Sequence, residues 1–142
     1  MEISVTKQFS AETAHFLKDT ETKGCLRLHG HSYKILITVR CLREELVDGM
    51  VVDFSILSKW VKENIISKID HQLLVPSDFD QRGLGFYMKD YKYEEKVIKF
   101  DPQPTAEAIA MWIFDNCKKE FPGVYKVRVY ETENSYAEVK SV

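Results

Sequence analysis

The stretch Cys25-Leu26-Arg27-Leu28-His29-Gly30-His31 places a thiol and two imidazoles close together in sequence. Two histidines two apart on a strand point to the same face, so both rings can reach one ion. Their parity is that of Tyr33, Ile35, Ile37 and Val39, which extends an apolar face rather than a wet one. His15 shares the parity of Phe9 and Ala11 if its strand runs on regularly past Glu12. Three neutral imidazoles with an open fourth position describe a catalytic zinc site. Buried histidines can equally be plain hydrogen-bonding groups, and spacing alone leaves both readings standing.

Four other positions carry potential chemistry. Beside a divalent ion, Cys25 would have its thiolate favoured and could serve as a base or nucleophile. It could instead be a fourth ligand that closes the site, or inert packing. In Asp70-His71 a carboxylate can fix one imidazole tautomer and make a proton shuttle, or His71 can be a helix-end cation with an unrelated neighbour. Glu131 shares the parity of Tyr125, Val127 and Val129. There it either accepts paired hydrogen bonds from a guanidine-like edge or sits solvated in a turn. Asp53 and Glu107 read as structural, and Cys41 and Cys117 as core.

The elements that must position these residues follow from two hydrophobic periods. Glu2 to Ala11 alternates with period 2, as do His31 to Arg40, Val124 to Glu131 and Tyr136 to Val139. Asp48-Gly49 marks a turn before a short strand-like run, Met50 to Phe54. Ser55 is placed to cap a helix whose stripe combines Ile56 and Trp60 with Leu57, Val61, Ile65 and Ile69. A second helix begins near Thr105, its cap, with Glu107 at the positive end of the dipole. Ile109, Trp112, Ile113 and Cys117 form its apolar face, and Pro122-Gly123 stops it. The order ββααββ predicts an α+β layer, a four-stranded antiparallel sheet with both helices on one face. Residues 76–100 lack a clean period and read as an excursion or hairpin, with a short strand in Lys96 to Phe100.

With 142 residues, 44% of them hydrophobic, the chain fits one domain, 1–142. A formal net charge of −2 gives no electrostatic reason for nucleic acid or membrane binding. No apolar run approaches a membrane span, and the N-terminus lacks the pattern of a signal peptide. Three scattered cysteines fit a reducing, cytoplasmic setting.

Taken in order, several motifs resemble the 6-pyruvoyl-tetrahydropterin synthase family. They are Ala14-His15, Cys25-x-x-x-His29-Gly30-His31, Val52-Asp53-Phe54, Asp70-His71, Pro104-Thr105-Ala106-Glu107 and Glu131. The three-residue gap between Cys25 and His29 is similar to the bacterial branch, the 6-carboxy-5,6,7,8-tetrahydropterin synthases of queuosine biosynthesis. The resemblance implies the tunnelling fold (T-fold) and a homo-oligomer, commonly a hexamer, whose sheets form a barrel with active sites between subunits. It implies zinc on His15, His29 and His31, and Cys25 as the proton-abstracting residue. Asp70 and His71 would act as relay partners from a neighbouring subunit. Glu131 would be the pterin anchor and a member of the relay, with Thr105 and Glu107 near the pterin pocket. The implied reaction converts 7,8-dihydroneopterin triphosphate to 6-carboxytetrahydropterin, acetaldehyde and triphosphate. Lys23 and Arg27 are candidates for the triphosphate by position. Competing readings are a 6-pyruvoyl synthase that keeps the side chain, and a non-catalytic pterin- or zinc-binding module. One departure stands out. Phe9-Ser-Ala-Glu-Thr-Ala-His15 is two residues longer than the family's usual Phe-x-Ala-Ala-His, an addition that a β-bulge would absorb.

Overall fold

Glu2 to His15 alternates at nearly every step. In the computed structural model, which describes residues 1–80 and 97–142, it forms one 14-residue strand, β1. β1 pairs antiparallel with β2 (His29–Leu42) from Glu2↔Leu42 to His15↔His29 without a register shift. The two added residues before His15 therefore lengthen a regular strand and make no bulge. Phe9, Ala11, Thr13 and His15 all stay on the buried parity, while Ser10 and Glu12 face out.

Asp48-Gly49 turns as expected, with positive φ at both residues and Val47 bridged to Met50. Residues 51–53 do not form the expected strand; they bend, and Val51 and Val52 pack against the core. The expected Ser55 cap is also corrected. Asp53 holds extended backbone just before α1 (Phe54–Val61), and its Oδ1 accepts from the Ser55 amide at 2.8 Å and the Ser55 hydroxyl at 2.9 Å. α1 runs on through a π-helical turn (Lys62–Ile66) and a closing turn (Ser67–Ile69). Leu57, Val61, Ile65 and Ile69 are fully buried. Ile56 is 60% exposed, because it sits about 100° around the helix from Leu57 and off the stripe.

β3 (Leu73–Pro76) and β4 (Val97–Phe100) follow, then α2 (Ala106–Glu120), β5 (Val124–Thr132) and β6 (Ser135–Lys140). Among the described residues the sheet has six strands, in the order β4-β3-β1-β2-β5-β6. The four-stranded antiparallel sheet read from the sequence is its β1-β2-β5-β6 part. β3 adds parallel to β1, and β4 parallel to β3, which makes the sheet mixed. All four residues of β3 are buried, so it shows a continuous apolar run and no alternation. The strand expected near Lys96–Phe100 is β4. Residues 81–96, most of the expected excursion, lie outside the described residues.

Both helices pack on one sheet face. Phe9, Tyr33, Ile35, Ile37 and Val127 share a single buried cluster with Leu57, Val61 and Ile65 of α1 and its turn, and with Ile109 and Ile113 of α2. Each such buried aliphatic side chain contributes about 1.5–3 kcal/mol. A register shift between Thr38 and Val39 brings Val124 opposite Val39 and leaves Tyr125 unmatched. Val124, not Tyr125, therefore joins Val127 and Val129 in the core, and the Arg40 guanidinium lies 3.6 Å above the Tyr125 ring. The chain passes closely here: a Cβ on Gly123 would meet the Arg40 carbonyl at 2.9 Å. No helix among the described residues is long and apolar enough to cross a membrane.

Candidate active site

The paired ends of β1 and β2 bring His15 and His29 directly opposite each other, and the alternation of β2 puts His31 on the same face. His15 Nε2 lies 3.0 Å from His29 Nε2, and His29 Nε2 lies 3.1 Å from His31 Nε2. One donor atom from each of the three lies within 4.8 Å of the others. The opposite ring nitrogens fix the tautomers. His15 Nδ1 meets the Pro104 carbonyl at 2.9 Å, and His29 Nδ1 meets the Arg27 carbonyl at 2.6 Å. A carbonyl only accepts, so each Nδ1 carries the proton, and in the neutral rings both Nε2 atoms present lone pairs to one another.

Those lone pairs repel unless a shared cation lies between them. Tetrahedral coordination at about 2.0–2.1 Å spaces ligand nitrogens roughly 3.3 Å apart, close to the separations here. Charge points the same way. Burial first, and then the neighbouring His31 and His29, outweigh the hydrogen bond to Pro104 and lower the His15 pKa to about 4. Burial also lowers His31, against the opposing pull of the Glu131 carboxylate. Both rings are thus held neutral, as ligands must be. Tyr33 lies beneath the group with its hydroxyl 3.2 Å from His15 Nδ1. Its phenol is pushed well above the usual range, first by burial and then by the Glu131 charge.

Glu131 completes this end. Its Oε1 is 3.5 Å from Nε2 of both His15 and His31. The pairing of β5 with β6 steps from Tyr130↔Tyr136 to Thr132↔Ser135, which leaves Glu131 unmatched in a local irregularity. Such a bulge re-aims a side chain, and here the carboxylate turns toward the histidines. It also lines an open pocket of about 280 Å³ with Thr105 and Glu107 at the start of α2, Leu17 after β1, and Ser135 to Ala137 of β6. Thr105 also caps α2, accepting from the Ala108 amide at 3.1 Å.

The family model described as 6-pyruvoyl tetrahydropterin synthase matches residues 2–141. The chain belongs to that family. It is accordingly an enzyme, a lyase. It is 34% identical over 137 residues to the 6-carboxy-5,6,7,8-tetrahydropterin synthase of a Synechocystis strain, covering 94% of this chain and 89% of that one. It is 35% identical over 109 residues to the human 6-pyruvoyl tetrahydrobiopterin synthase, covering 75% of this chain and 62% of the human protein. The solved 6-pyruvoyl tetrahydropterin synthase of Plasmodium falciparum superposes with a TM-score of 0.73 at 22% identity, over 99% of this chain and 98% of that one. This likeness identifies the fold as the tunnelling fold of the 6-pyruvoyl tetrahydropterin synthases.

Other expected site residues lie apart from the histidine group. Cys25 occupies a short 3₁₀ turn (Lys23–Leu26), half-buried, with its amide on the Thr22 carbonyl at 3.0 Å. It is not a member of the donor group, so the geometry does not make it a fourth ligand. Lys23 and Arg27, in the same loop, are exposed. Asp70 and His71 do face each other, with His71 Nδ1 2.9 Å from Asp70 Oδ2. Both are anchored to Glu12: its amide donates to Asp70 Oδ1 at 2.8 Å, and its carbonyl accepts from the His71 amide at 2.6 Å. Their contacts run to β1 rather than to the histidines, and the His71 side chain is 77% exposed. His71 also has φ 60, a left-handed conformation that non-glycine residues adopt at a cost of about 1–3 kcal/mol. Sequence reasoning missed Leu17, Ser135, Tyr136 and Ala137 as pocket walls. Leu17 sits in an irregular loop with no period to mark it, Ser135 falls before the alternation that begins at Tyr136, and Tyr136 and Ala137 show only strand alternation.

Proposed function

We propose that the protein converts 7,8-dihydroneopterin triphosphate, with uptake of water, to 6-carboxy-5,6,7,8-tetrahydropterin, acetaldehyde and triphosphate, as a step of queuosine (7-deazaguanine) biosynthesis. The observation that carries this reading is Glu131, whose carboxylate is shared between the three-histidine group and the pocket behind Thr105 and Glu107. A ligand held by Glu131 has its reactive end beside the imidazoles. The 34% identity to a 6-carboxy-5,6,7,8-tetrahydropterin synthase supports the product chosen.

His15, His29 and His31 would hold zinc. When bound there, the ion would polarise substrate hydroxyls and acidify the neighbouring C–H bonds. Glu131 would accept paired hydrogen bonds from the N2/N3 edge of the pterin and fix its orientation. Thr105 and Glu107 would line the ring. Cys25 would take the proton from one face of the side chain. Asp70 would hold the His71 imidazole in one tautomer and orientation, so that His71 returns a proton from the other face. The exposure of His71 suits action in the site of a neighbouring subunit, and we propose a homo-oligomer with sites between chains. Lys23 and Arg27 would meet the triphosphate.

Similarity to the human 6-pyruvoyl tetrahydrobiopterin synthase supports a second reading, elimination of triphosphate with the side chain retained. Incubation of the zinc-loaded protein with 7,8-dihydroneopterin triphosphate, followed by product identification, separates the two. Acetaldehyde with the 6-carboxy product is expected. A 6-pyruvoyl product without acetaldehyde would establish the second reading instead.

A further inference from the structure

The segment before α2 reaches the site twice: Pro104 lends its carbonyl to His15, and Thr105 lines the pocket. One residue earlier, Gln103 extends its amide across to the loop that follows β1. Gln103 Oε1 accepts from the Lys18 amide at 2.9 Å and the Asp19 amide at 3.1 Å. Gln103 Nε2 donates to the Asp19 carbonyl at 2.9 Å. One side chain therefore pairs three backbone groups of two adjacent residues, 85 and 84 positions away in sequence. The neighbouring residue Leu17, a wall of the pocket, donates its own amide to the Cys25 carbonyl at 2.8 Å. A continuous path of bonds thus runs from Gln103 through Lys18 and Asp19 to Leu17 and the Cys25 turn. The loop has another side-chain tether in the exposed Lys18–Asp78 pair at 3.0 Å, of a kind that contributes little.

We propose that Gln103 is a positioning residue that sets the loop after β1, and through Leu17 the Cys25 turn, against the pocket end of α2. This rests on the proposed role of Cys25 in pterin chemistry, but the clamp itself can be tested without that role. An amide suits the task because it both accepts and donates, so it can match an N–H, N–H, C=O sequence that a carboxylate or an apolar side chain cannot. Losing it frees a loop whose order contributes to rate, since small displacements of a reacting group cost up to about 100-fold.

The test uses the zinc-loaded, full-length protein and its Gln103→Met variant. Expected in the variant are zinc stoichiometry equal to wild type, and Lys18 and Asp19 amide hydrogen exchange faster by about tenfold. Alkylation of Cys25, read peptide by peptide, should also be faster. On 7,8-dihydroneopterin triphosphate, kcat should fall about 10- to 100-fold while KM stays within about threefold, because Glu131, Thr105 and Glu107 are untouched. Unchanged exchange at Lys18 and Asp19, or faster exchange with unchanged kcat, overturns the proposal. If the variant does not fold, wild-type exchange decides: Lys18 and Asp19 amides as unprotected as free peptide would show there is no clamp. A wild-type protein inert toward the substrate would overturn the proposed reaction, and the exchange and alkylation results would still decide the clamp.

Discussion

A metal site needs donors that are convergent and unable to turn away, and each histidine meets these demands by a different route. His15 is buried and tied to Pro104; His29 is tied to Arg27; His31 is held by strand direction beside Glu131. Cys25 stands outside that group, which separates metal binding from the proposed proton transfer. Cys25→Ala is therefore expected to keep its zinc, measured by elemental analysis, and to lose about 10²- to 10⁴-fold in kcat, the range for a general base. Loss of zinc in that variant would return Cys25 to the role of a ligand. Much of this site was legible in the residues. Period 2 places His29 and His31 together, and His15 needs only that β1 stay regular, which it does. The aim of Glu131 was legible only in part. Parity put it on the inner face, but the irregularity that turns it toward two imidazoles arises from how β5 pairs with β6, which no local pattern records. Leu17 left no signal, since its place depends on Gln103, far away in sequence.

At the scale of elements, the long alternating strands and the α2 cap could be read directly, whereas the β3-β4 extension could not. Leu73–Pro76 is short and buried on both sides, so neither period marks it, and parallel pairing to β1 depends on how the chain leaves α1. That exit is the Asp70-His71 turn. The Asp70 carboxyl is held below its ordinary range, chiefly by the Glu12 amide and then by His71. A carboxyl depressed in the folded state contributes stability that is fully present above its unfolded pKa. That stability fades as pH falls through the folded value. Asp70→Asn should accordingly be less stable than wild type near neutral pH, and the gap should narrow as pH drops below about 4. Urea melts of both proteins across that range measure it. A gap that stays constant down to low pH would mean that the carboxylate does not fasten α1 to β1.

For the whole molecule, the three histidines join elements far apart in sequence: β1, β2 and, through Pro104 and Glu131, the entry to α2 and the end of β5. Without a cation, the facing lone pairs of His15 and His29, 3.0 Å apart, push these ends away from each other, so the site weakens the fold that builds it. With a cation the same contacts become attractive and bind only the folded state, because the unfolded chain cannot gather the three rings. Linkage then sets the size of the effect. At a free zinc concentration of 100 times Kd the folded state gains about 2.7 kcal/mol. For a chain of this length about 1 kcal/mol shifts Tm by roughly 2–4 °C, so zinc should raise Tm by about 5–10 °C. Scanning calorimetry of chelator-treated protein, with and without added zinc, measures the shift. His29→Ala should abolish most of it, since His29 lies within about 3 Å of both other donors. A His29→Ala protein that keeps the full zinc-dependent shift would place the bound ion elsewhere in the molecule, and with it the chemistry assigned to Glu131.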